Sequence, residues 1–305
     1  MSNNNQQWRG KSRGGAFGYN FFIWLIKSFG ISVAYAFLCL VVLYFIPFSP
    51  KSTRSIWYYS RNILFYGPIS SALFLVRSYY RFGQVLIDKT AISIGLKERY
   101  NFRFDNYEEF LNILNSGDGV VIMSAHIGNW ESGAPFFDDY GKKINIVLYD
   151  AEYEKIKEVI ERNRESIDYK IIAINREDIS HIFKIREALA AGEYLCFQGD
   201  RVVVDEGKSG SGKSITAEKV FIRNFMGREA LFPSGPFLLA SRLKVPVVFY
   251  FAMRERNKSY RFYFYSVDTT TPKSEEELLD AYLEKLTEIV RRYPEQWFNY
   301  YKFWR

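Results

Sequence analysis

An uncharged, apolar stretch near the N-terminus constrains this chain most. No charged residue occurs between Lys27 and Lys51, and the residues from Phe29 to Ile46 are predominantly apolar. A run of about 18 such residues reaches the lower limit for a helix that crosses the hydrocarbon core of a bilayer. Tryptophan, tyrosine and basic residues flank it, as they flank membrane helices at headgroup depth. The sequence therefore predicts a single N-terminal membrane helix over about 29–46.

Other structures for this stretch remain open. It could form a re-entrant or interfacial hairpin with Ile63 to Val76 as the second limb, or it could belong to a helical lobe of a soluble protein. A cleavable signal peptide is disfavoured, because the apolar run begins late and Pro47-Phe48-Ser49-Pro50 is not a small-residue cleavage pattern. Basic residues lie on both sides of the stretch, so charge counting does not fix its orientation.

Charge is distributed unevenly along the chain. No acidic residue precedes Asp88, whereas nine basic residues do, so residues 1–87 carry +9 and the remainder of the +7 chain carries −2. The aromatic residues of this segment occur in apolar stretches and not among dense Lys and Arg, so anionic lipid is a better partner than nucleic acid. We interpret 1–87 as a basic, aromatic membrane-anchoring segment and 88–305 as a separate domain.

Helical and strand patterns alternate through this second domain. They predict an α/β fold with a mixed, mostly parallel sheet flanked by helices. The predicted strands are Val120 to Met123, Ile144 to Leu148, Ile171 to Ile174, Tyr194 to Phe197, Val245 to Met253 and Tyr260 to Val267. The predicted helices are Tyr107 to Ser116, Trp130 to Asp138, Glu152 to Arg164, Ile179 to Ala191, Pro236 to Arg242 and a last helix that Ser274 and Glu277 begin with a capping box.

The end of the first of these strands holds the clearest chemical motif. His126 and Glu131 follow the apolar residues Val120 to Met123, at the end of a parallel strand where α/β proteins place ligands and catalytic groups. Gly128 and Asn129 can form a turn that returns Glu131 to the imidazole ring. The ring would then act as a general base held by the carboxylate, with nearby backbone amides to stabilise an oxyanion. A histidine that merely packs or caps a helix start is the alternative.

A second motif matches the phosphate-binding loop pattern at Gly207 to Ser214. That chemistry needs a buried strand before the loop and a helix directly after it. Charged residues surround the preceding segment, and Ile215 to Ile222 favours a strand. We interpret the match as a flexible loop, with a nucleotide-dependent enzyme as the alternative function.

Metal and disulfide chemistry are not expected. The chain has two histidines and two cysteines, too few for a typical zinc site, and Cys39 and Cys196 lie in different predicted elements. We interpret His181 as a packing or surface residue of an amphipathic helix.

Several regions together resemble the late acyltransferases of lipid A biosynthesis, of the lauroyl and myristoyl transferase type. The matching regions are the N-terminal anchor, His126 to Glu131, Asn175 to Asp178, Ala188 to Glu193, Gly199 to Arg201, Phe225 to Ala240, Tyr293 to Trp297 and Phe303-Trp304. The resemblance covers nearly the whole chain. It implies a glycerolipid-acyltransferase-like fold, with 88–305 as the catalytic acyltransferase domain.

The resemblance also implies a reaction. A fatty acyl group would pass from acyl carrier protein or CoA to a hydroxyl of a membrane lipid, at the cytoplasmic face of a bacterial inner membrane. His126 would take the proton of the hydroxyl and Glu131 would hold the ring, with no metal, cofactor or covalent serine. A non-catalytic lipid-binding protein on the same fold is the alternative.

The resemblance assigns substrate contacts as well. Arg176 and Arg201 would bind phosphate or carboxylate groups, Asp200 would orient one of these arginines, and Asn129 would contact substrate. The alternative for the three charged residues is a structural ion-pair network. Gln198 to Arg201 departs from the turn usual in the family, which leaves the acceptor lipid open along with the donor, the acyl chain length and the oligomeric state.

Overall fold

The computed structural model describes residues 15–133, 141–149, 169–174, 179–202, 220–267 and 273–305. Some of the sequence predictions lie outside these ranges. They are the helix over Glu152 to Arg164, the loop from Gly207 to Ser214, Arg176 with its neighbours, and the second half of the helix predicted over 130–138.

A seven-stranded sheet organises the described part of the chain. Its strand order is β1-β9-β8-β2-β5-β3-β4, and every neighbouring pair is parallel except β8 with β9. Strands β6 and β7 form a separate antiparallel hairpin. The strands are β1 (Asn101–Asp105), β2 (Val120–Ser124), β3 (Ile144–Tyr149), β4 (Tyr169–Ile174), β5 (Tyr194–Gln198), β6 (Val220–Phe225), β7 (Arg228–Pro233), β8 (Val247–Arg254) and β9 (Ser259–Val267). The predicted mixed, mostly parallel α/β sheet is confirmed.

From residue 15, where the described part of the chain begins, four helices precede the sheet, and the sequence predicted one of them. They are α1 (Gly15–Phe29), α2 (Ile31–Phe48), α3 (Pro50–Asn62) and α4 (Pro68–Ser93). The helix predicted over 29–46 forms as α2, two residues further on. Within the described residues, α2 is the one helix long and apolar enough to cross a membrane by length and composition, and it fits a membrane anchor.

One face of α2 packs against α4, and the opposite face is exposed. The buried residues recur every three or four positions, as one helical face requires, and are Ile31, Ala34, Leu38 and Val42. A Cβ atom on Gly83 of α4 would lie 2.3 Å from Leu38 Cδ1, so the two helices approach this closely because residue 83 is glycine. The exposed apolar residues of α2 are Val33, Phe37, Leu40, Leu43, Tyr44 and Phe48.

Among the described residues, four further helices flank the sheet: α5 (Tyr107–Asn115), α6 (Ser180–Ala190), α7 (Gly235–Leu243) and α8 (Glu275–Arg292). The predicted capping box begins α8. The Ser274 hydroxyl accepts from the Glu277 amide at 3.2 Å, and the Glu277 carboxylate accepts from the Ser274 amide at 2.7 Å. The apolar stripe of α8, which includes Tyr282 and Leu286, is buried.

A buried carboxylate joins the N-terminal helices to the sheet. Asp88 of α4 pairs with Arg254 of β8 at 2.7 Å, and neither side chain is appreciably exposed. The hydroxyls of Tyr260 and Tyr100 donate to the same carboxylate at 2.5 and 3.0 Å, and Tyr35 of α2 donates to it as well. These hydrogen bonds offset the cost of removing the charges from water. The predicted boundary between residues 87 and 88 therefore falls inside one continuous helix, beside a contact that unites its two sides.

We expect Asp88→Ala to lower the free energy of unfolding by about 3–5 kcal/mol, because Arg254 becomes a buried charge without its carboxylate. Asp105→Ala is the matched control. It removes a partly exposed partner of Arg261, which contributes about 1 kcal/mol or less. Denaturant unfolding of the detergent-solubilised protein measures both variants. Equal losses for the two would contradict the structural role of Asp88.

Candidate active site

The ends of β2 and β5 bring His126 and Asp200 together. The two strands are parallel neighbours, and their register pairs Ser124 with Gln198. Residues two positions beyond this pair, His126 and Asp200, therefore leave the sheet side by side. The Ser124 carbonyl holds this edge by accepting hydrogen bonds from the Gly199 amide at 3.0 Å and the Tyr282 hydroxyl at 2.8 Å.

Asp200 bonds to both the backbone and the ring of His126. Its carboxylate accepts from the His126 amide at 3.1 Å and lies 2.8 Å from Nδ1 of the ring. An ionised carboxylate only accepts hydrogen bonds, so Nδ1 carries the proton and Nε2 keeps its lone pair. The Asp200 side chain is fully buried, while 24% of the His126 side chain is exposed. The unprotonated nitrogen thus belongs to the partly accessible member of the pair.

The charges around this pair favour a neutral ring beside an ionised carboxylate. Burial, and next the positive charge of Arg201, lower the pKa of His126 below its ordinary value, against the opposite effect of Asp200. Burial alone would raise the pKa of Asp200. The charge and hydrogen bonds of His126, together with Arg201, outweigh burial and hold that pKa below its ordinary value. At neutral pH the site therefore presents an imidazole that can accept a proton.

Arg201 is bound to the C-terminal segment. Its Nη2 donates to the Phe298 carbonyl at 2.8 Å, and its guanidinium lies over the ring of Tyr301, 5.6 Å from the ring centroid. The sequence suggested that Asp200 orients an arginine. In the structure the hydrogen bonds of Asp200 go to His126, and Trp297 Nε1 approaches the carboxylate at 3.5 Å.

Glu131 occupies a different place from the one expected. It lies in a short 3-10 turn, Trp130–Gly133, and its carboxylate pairs with Lys89 of α4. The ring of His126 thus bonds to Asp200, and Glu131 bonds to the helical region. The prediction that Glu131 holds the ring is wrong for a geometric reason. The turn after His126 does not bring Glu131 back to Nδ1, whereas the neighbouring strand β5 places Asp200 beside it.

Asn129 points into the protein. Its side chain is buried and donates to the Tyr260 hydroxyl at 3.4 Å, and its carbonyl accepts from the Ser132 hydroxyl at 2.6 Å. These contacts fix the turn that carries His126. The predicted contact of Asn129 with substrate stays a prediction.

The C-terminal segment holds the His126 turn from the other side. The Phe298 amide donates to the His126 carbonyl at 3.0 Å, the Gly128 amide donates to the Gln296 carbonyl at 3.0 Å, and Ile127 forms an antiparallel bridge with Trp297. Gln296 and Trp297 belong to one of the regions that carry the resemblance, but nothing in their spacing indicated contact with His126.

Three backbone amides of the turn are already engaged. His126 donates to Asp200, Gly128 to Gln296, and Asn129 to the Ala252 carbonyl at 2.8 Å. These three amides are therefore already occupied within the protein. Arg176 lies outside the described residues. No group of three or more His, Cys, Asp or Glu side chains able to hold a metal ion occurs within the described ranges.

A comparison with protein-family models decides the kind of protein this site belongs to. The model of the bacterial lipid A biosynthesis acyltransferases matches residues 3–305, which is nearly the entire chain. The chain belongs to this family. It is an acyltransferase of lipid A biosynthesis, as its motifs indicated. A comparison with curated proteins gave no match.

Gly128 lies at a point of the acyltransferase's turn where there is no room for a side chain. Its φ is +60°, and a Cβ atom there would lie 2.1 Å from the Ala252 carbonyl oxygen. We expect Gly128→Ala to reduce both stability and acyl transfer, because β8 must move away from the turn. Gly141→Ala is the control: φ is +66° and nothing lies within 4 Å of the added atom, so left-handed strain of about 1–2 kcal/mol is its only cost. Thermal unfolding and activity of both variants test this, and equal effects would contradict it.

Proposed function

We propose that this acyltransferase is bound to the bacterial inner membrane and works at its cytoplasmic face. In this proposal a fatty acyl group passes from an acyl carrier protein or CoA thioester to a hydroxyl of a membrane glycolipid. The family membership supports acyl transfer to a lipid A precursor. The His126–Asp200 pair is the observation that carries the mechanism.

His126 acts as general base in this mechanism. Its Nε2 accepts the proton of the acceptor hydroxyl while the oxygen attacks the thioester carbonyl. Collapse of the tetrahedral intermediate breaks the carbon–sulfur bond, and the imidazolium returns the proton to the departing thiolate. The products are an ester and a free thiol, so the residues regain their starting protonation states without a covalent enzyme intermediate.

Asp200 is the positioning residue for this base. It holds Nδ1–H, which keeps the lone pair on Nε2, and its negative charge stabilises the imidazolium that forms during attack. Arg201 opposes protonation of the ring and thereby keeps the resting base neutral. Its charge also suits the phosphate or carboxylate groups of a substrate, as does that of Arg176.

Glu131 has a supporting place in the proposal. Its pair with Lys89 links the segment just after His126 to α4, and α4 packs on the proposed anchor α2. Through this pair, Glu131 holds the site in a fixed position relative to the membrane helices. Asp200, and not Glu131, sets the tautomer of the ring.

Membrane attachment rests on α2. Its exposed face is apolar along the whole helix, and residues 15–87 contain basic but no acidic side chains. Basic residues near a bilayer gain on the order of 1 kcal/mol each from anionic headgroups. Such a segment would hold the catalytic domain beside its lipid acceptor.

His126→Ala should reduce acyl transfer by about 10²–10⁴-fold, because the general base is lost. Substitution of the other histidine, His181→Ala, provides the control and should leave turnover essentially unchanged. The assay measures transfer from acyl carrier protein, and separately from CoA, to the lipid acceptor in mixed micelles. Full turnover by the His126 variant would refute its assignment as base.

The pH dependence should identify the carboxylate that serves His126. The base must be neutral, so kcat/KM falls on the acid side, with a midpoint below the ordinary histidine pKa of 6.5. Asp200→Asn removes an influence that raises this pKa, so it should move the midpoint to lower pH and reduce the rate by about 10²–10⁴-fold. Arg201→Gln removes an influence that lowers the pKa and should move the midpoint to higher pH.

Glu131→Gln is the matched carboxylate control in the same pH series. Because Glu131 pairs with Lys89, its substitution should leave the acid midpoint in place. A shift of the midpoint with Glu131→Gln and none with Asp200→Asn would reverse the roles assigned to the two residues.

A further inference from the structure

One apolar face of α4 continues beyond the helix that covers it. Its residues recur every three or four positions, so they share one side of the helix. We call this set the α4 stripe: it consists of Ile69, Leu73, Val76, Tyr80, Gly83 and Ile87.

Helix α2 covers the second half of the α4 stripe. Leu38 of α2 occupies the space beside Gly83, and the Tyr80 hydroxyl donates to the Tyr35 carbonyl at 3.4 Å. The two helices run antiparallel, because Tyr35 also reaches Asp88 near the end of α4. This half of the stripe therefore faces the same side of the molecule as α2.

The first half of the α4 stripe is uncovered, because α2 ends level with Tyr79. Thr53, in the first turns of α3, bonds both to the Ile46 carbonyl at 2.9 Å and to the Tyr79 hydroxyl at 3.0 Å. Beyond this point Ile69 is 80% exposed, Leu73 52% and Val76 41%. Three neighbouring aliphatic side chains in water are an unfavourable arrangement unless another apolar phase covers them.

Phe65 extends this surface at the turn between α3 and α4. It is 81% exposed, and its φ of +57° is a left-handed conformation that a phenylalanine adopts rarely. The turn therefore holds a large aromatic side chain away from the protein at a cost in backbone energy. Local strain combined with an exposed ring suggests a functional contact rather than folding.

Positive charge surrounds the same end of the molecule. Lys51 and Arg54 of α3 are exposed, and no acidic residue occurs among the described residues before Asp88. Arg77, next to Val76, is exposed and forms an ion pair with the Glu295 carboxylate at 3.5 Å. Exposed apolar side chains bordered by basic residues match the surface of a bilayer that contains anionic lipids.

We propose that Phe65, Ile69, Leu73 and Val76 form a second membrane contact, which inserts into the acyl-chain boundary of an anionic bilayer. It rests on the proposed membrane attachment through α2, and it adds a separate point of insertion. Two points fix the rotation of the molecule about α2, so the end of the sheet that carries His126 keeps one distance and one direction relative to the lipid surface.

Site-directed fluorescence in proteoliposomes tests this contact on the full chain. Single cysteines are introduced at Ile69, at Leu40 on the exposed face of α2, and at Glu284 on α8, all in a Cys39→Ser background. Cys196 stays unlabelled, because burial raises the pKa of its thiol to about 12. Each cysteine carries an environment-sensitive dye, and doxyl-labelled acyl chains in phosphatidylcholine–phosphatidylglycerol vesicles quench dyes that enter the bilayer.

We expect the dyes at residues 69 and 40 to be quenched several-fold more strongly than the dye at residue 284. Quenching at 40 without quenching at 69 would overturn the second contact and leave the α2 anchor standing. In that case, a dye at 69 whose emission reports an apolar environment would indicate a protein partner instead of lipid. Quenching at 69 alone would support the contact and refute the anchor. Absence of quenching at both positions would refute both proposals.

A functional measurement complements the dye. The double variant Ile69→Asn/Leu73→Asn should lower acyl transfer to acceptor embedded in anionic vesicles by roughly tenfold or more, because two apolar side chains no longer insert into the bilayer. Transfer to acceptor dispersed in detergent micelles should be unchanged. Equal activity on vesicles would overturn the contact, and equal loss in both media would also overturn it by showing that the substitutions damage the protein itself.

Discussion

The ion pair between Asp88 and Arg254 connects the N-terminal helices to the candidate active site. Arg254 also exchanges two backbone hydrogen bonds with the Gln296 side chain, at 2.9 and 2.7 Å. The Gln296 carbonyl in turn accepts from the Gly128 amide, two residues from His126. A continuous series of short contacts therefore runs from α4, through β8 and the C-terminal segment, to the turn that carries His126. The position of the imidazole depends on the helices as much as on the sheet.

The position of His126 at the end of a parallel strand could be predicted from the sequence, but its carboxylate partner could not. A short apolar run followed by small residues and His126 is a local pattern, and it identifies the end of a parallel strand. Local spacing likewise indicated Glu131, five residues away, as the carboxylate beside the ring. Asp200 reaches the ring because β5 lies beside β2 in one particular register. A pairing between strands 74 residues apart is a property of the whole sheet.

The N-terminal region, too, could be predicted only in part. The composition identified α2 within two residues, because an uncharged apolar run has few alternatives. It missed α3 and α4, whose faces mix basic, aromatic and small residues. It also missed β1, an edge strand without a buried face, and the β6–β7 hairpin. The change in charge at Asp88 suggested a domain boundary. In the fold, this first acidic residue is the buried partner of Arg254, so the change in composition marks a junction rather than a separation.

The contacts of the C-terminal segment have a consequence for the folding of the chain during its synthesis on the ribosome. Residues 296–298 hold the turn around His126, and Trp304 and Arg305 bond to the β6–β7 hairpin. The ribosome makes these residues long after α2. The proposed membrane anchor is therefore complete before the contacts that hold the His126 turn can form. A chain that stopped before residue 296 would keep α2 but lack those contacts.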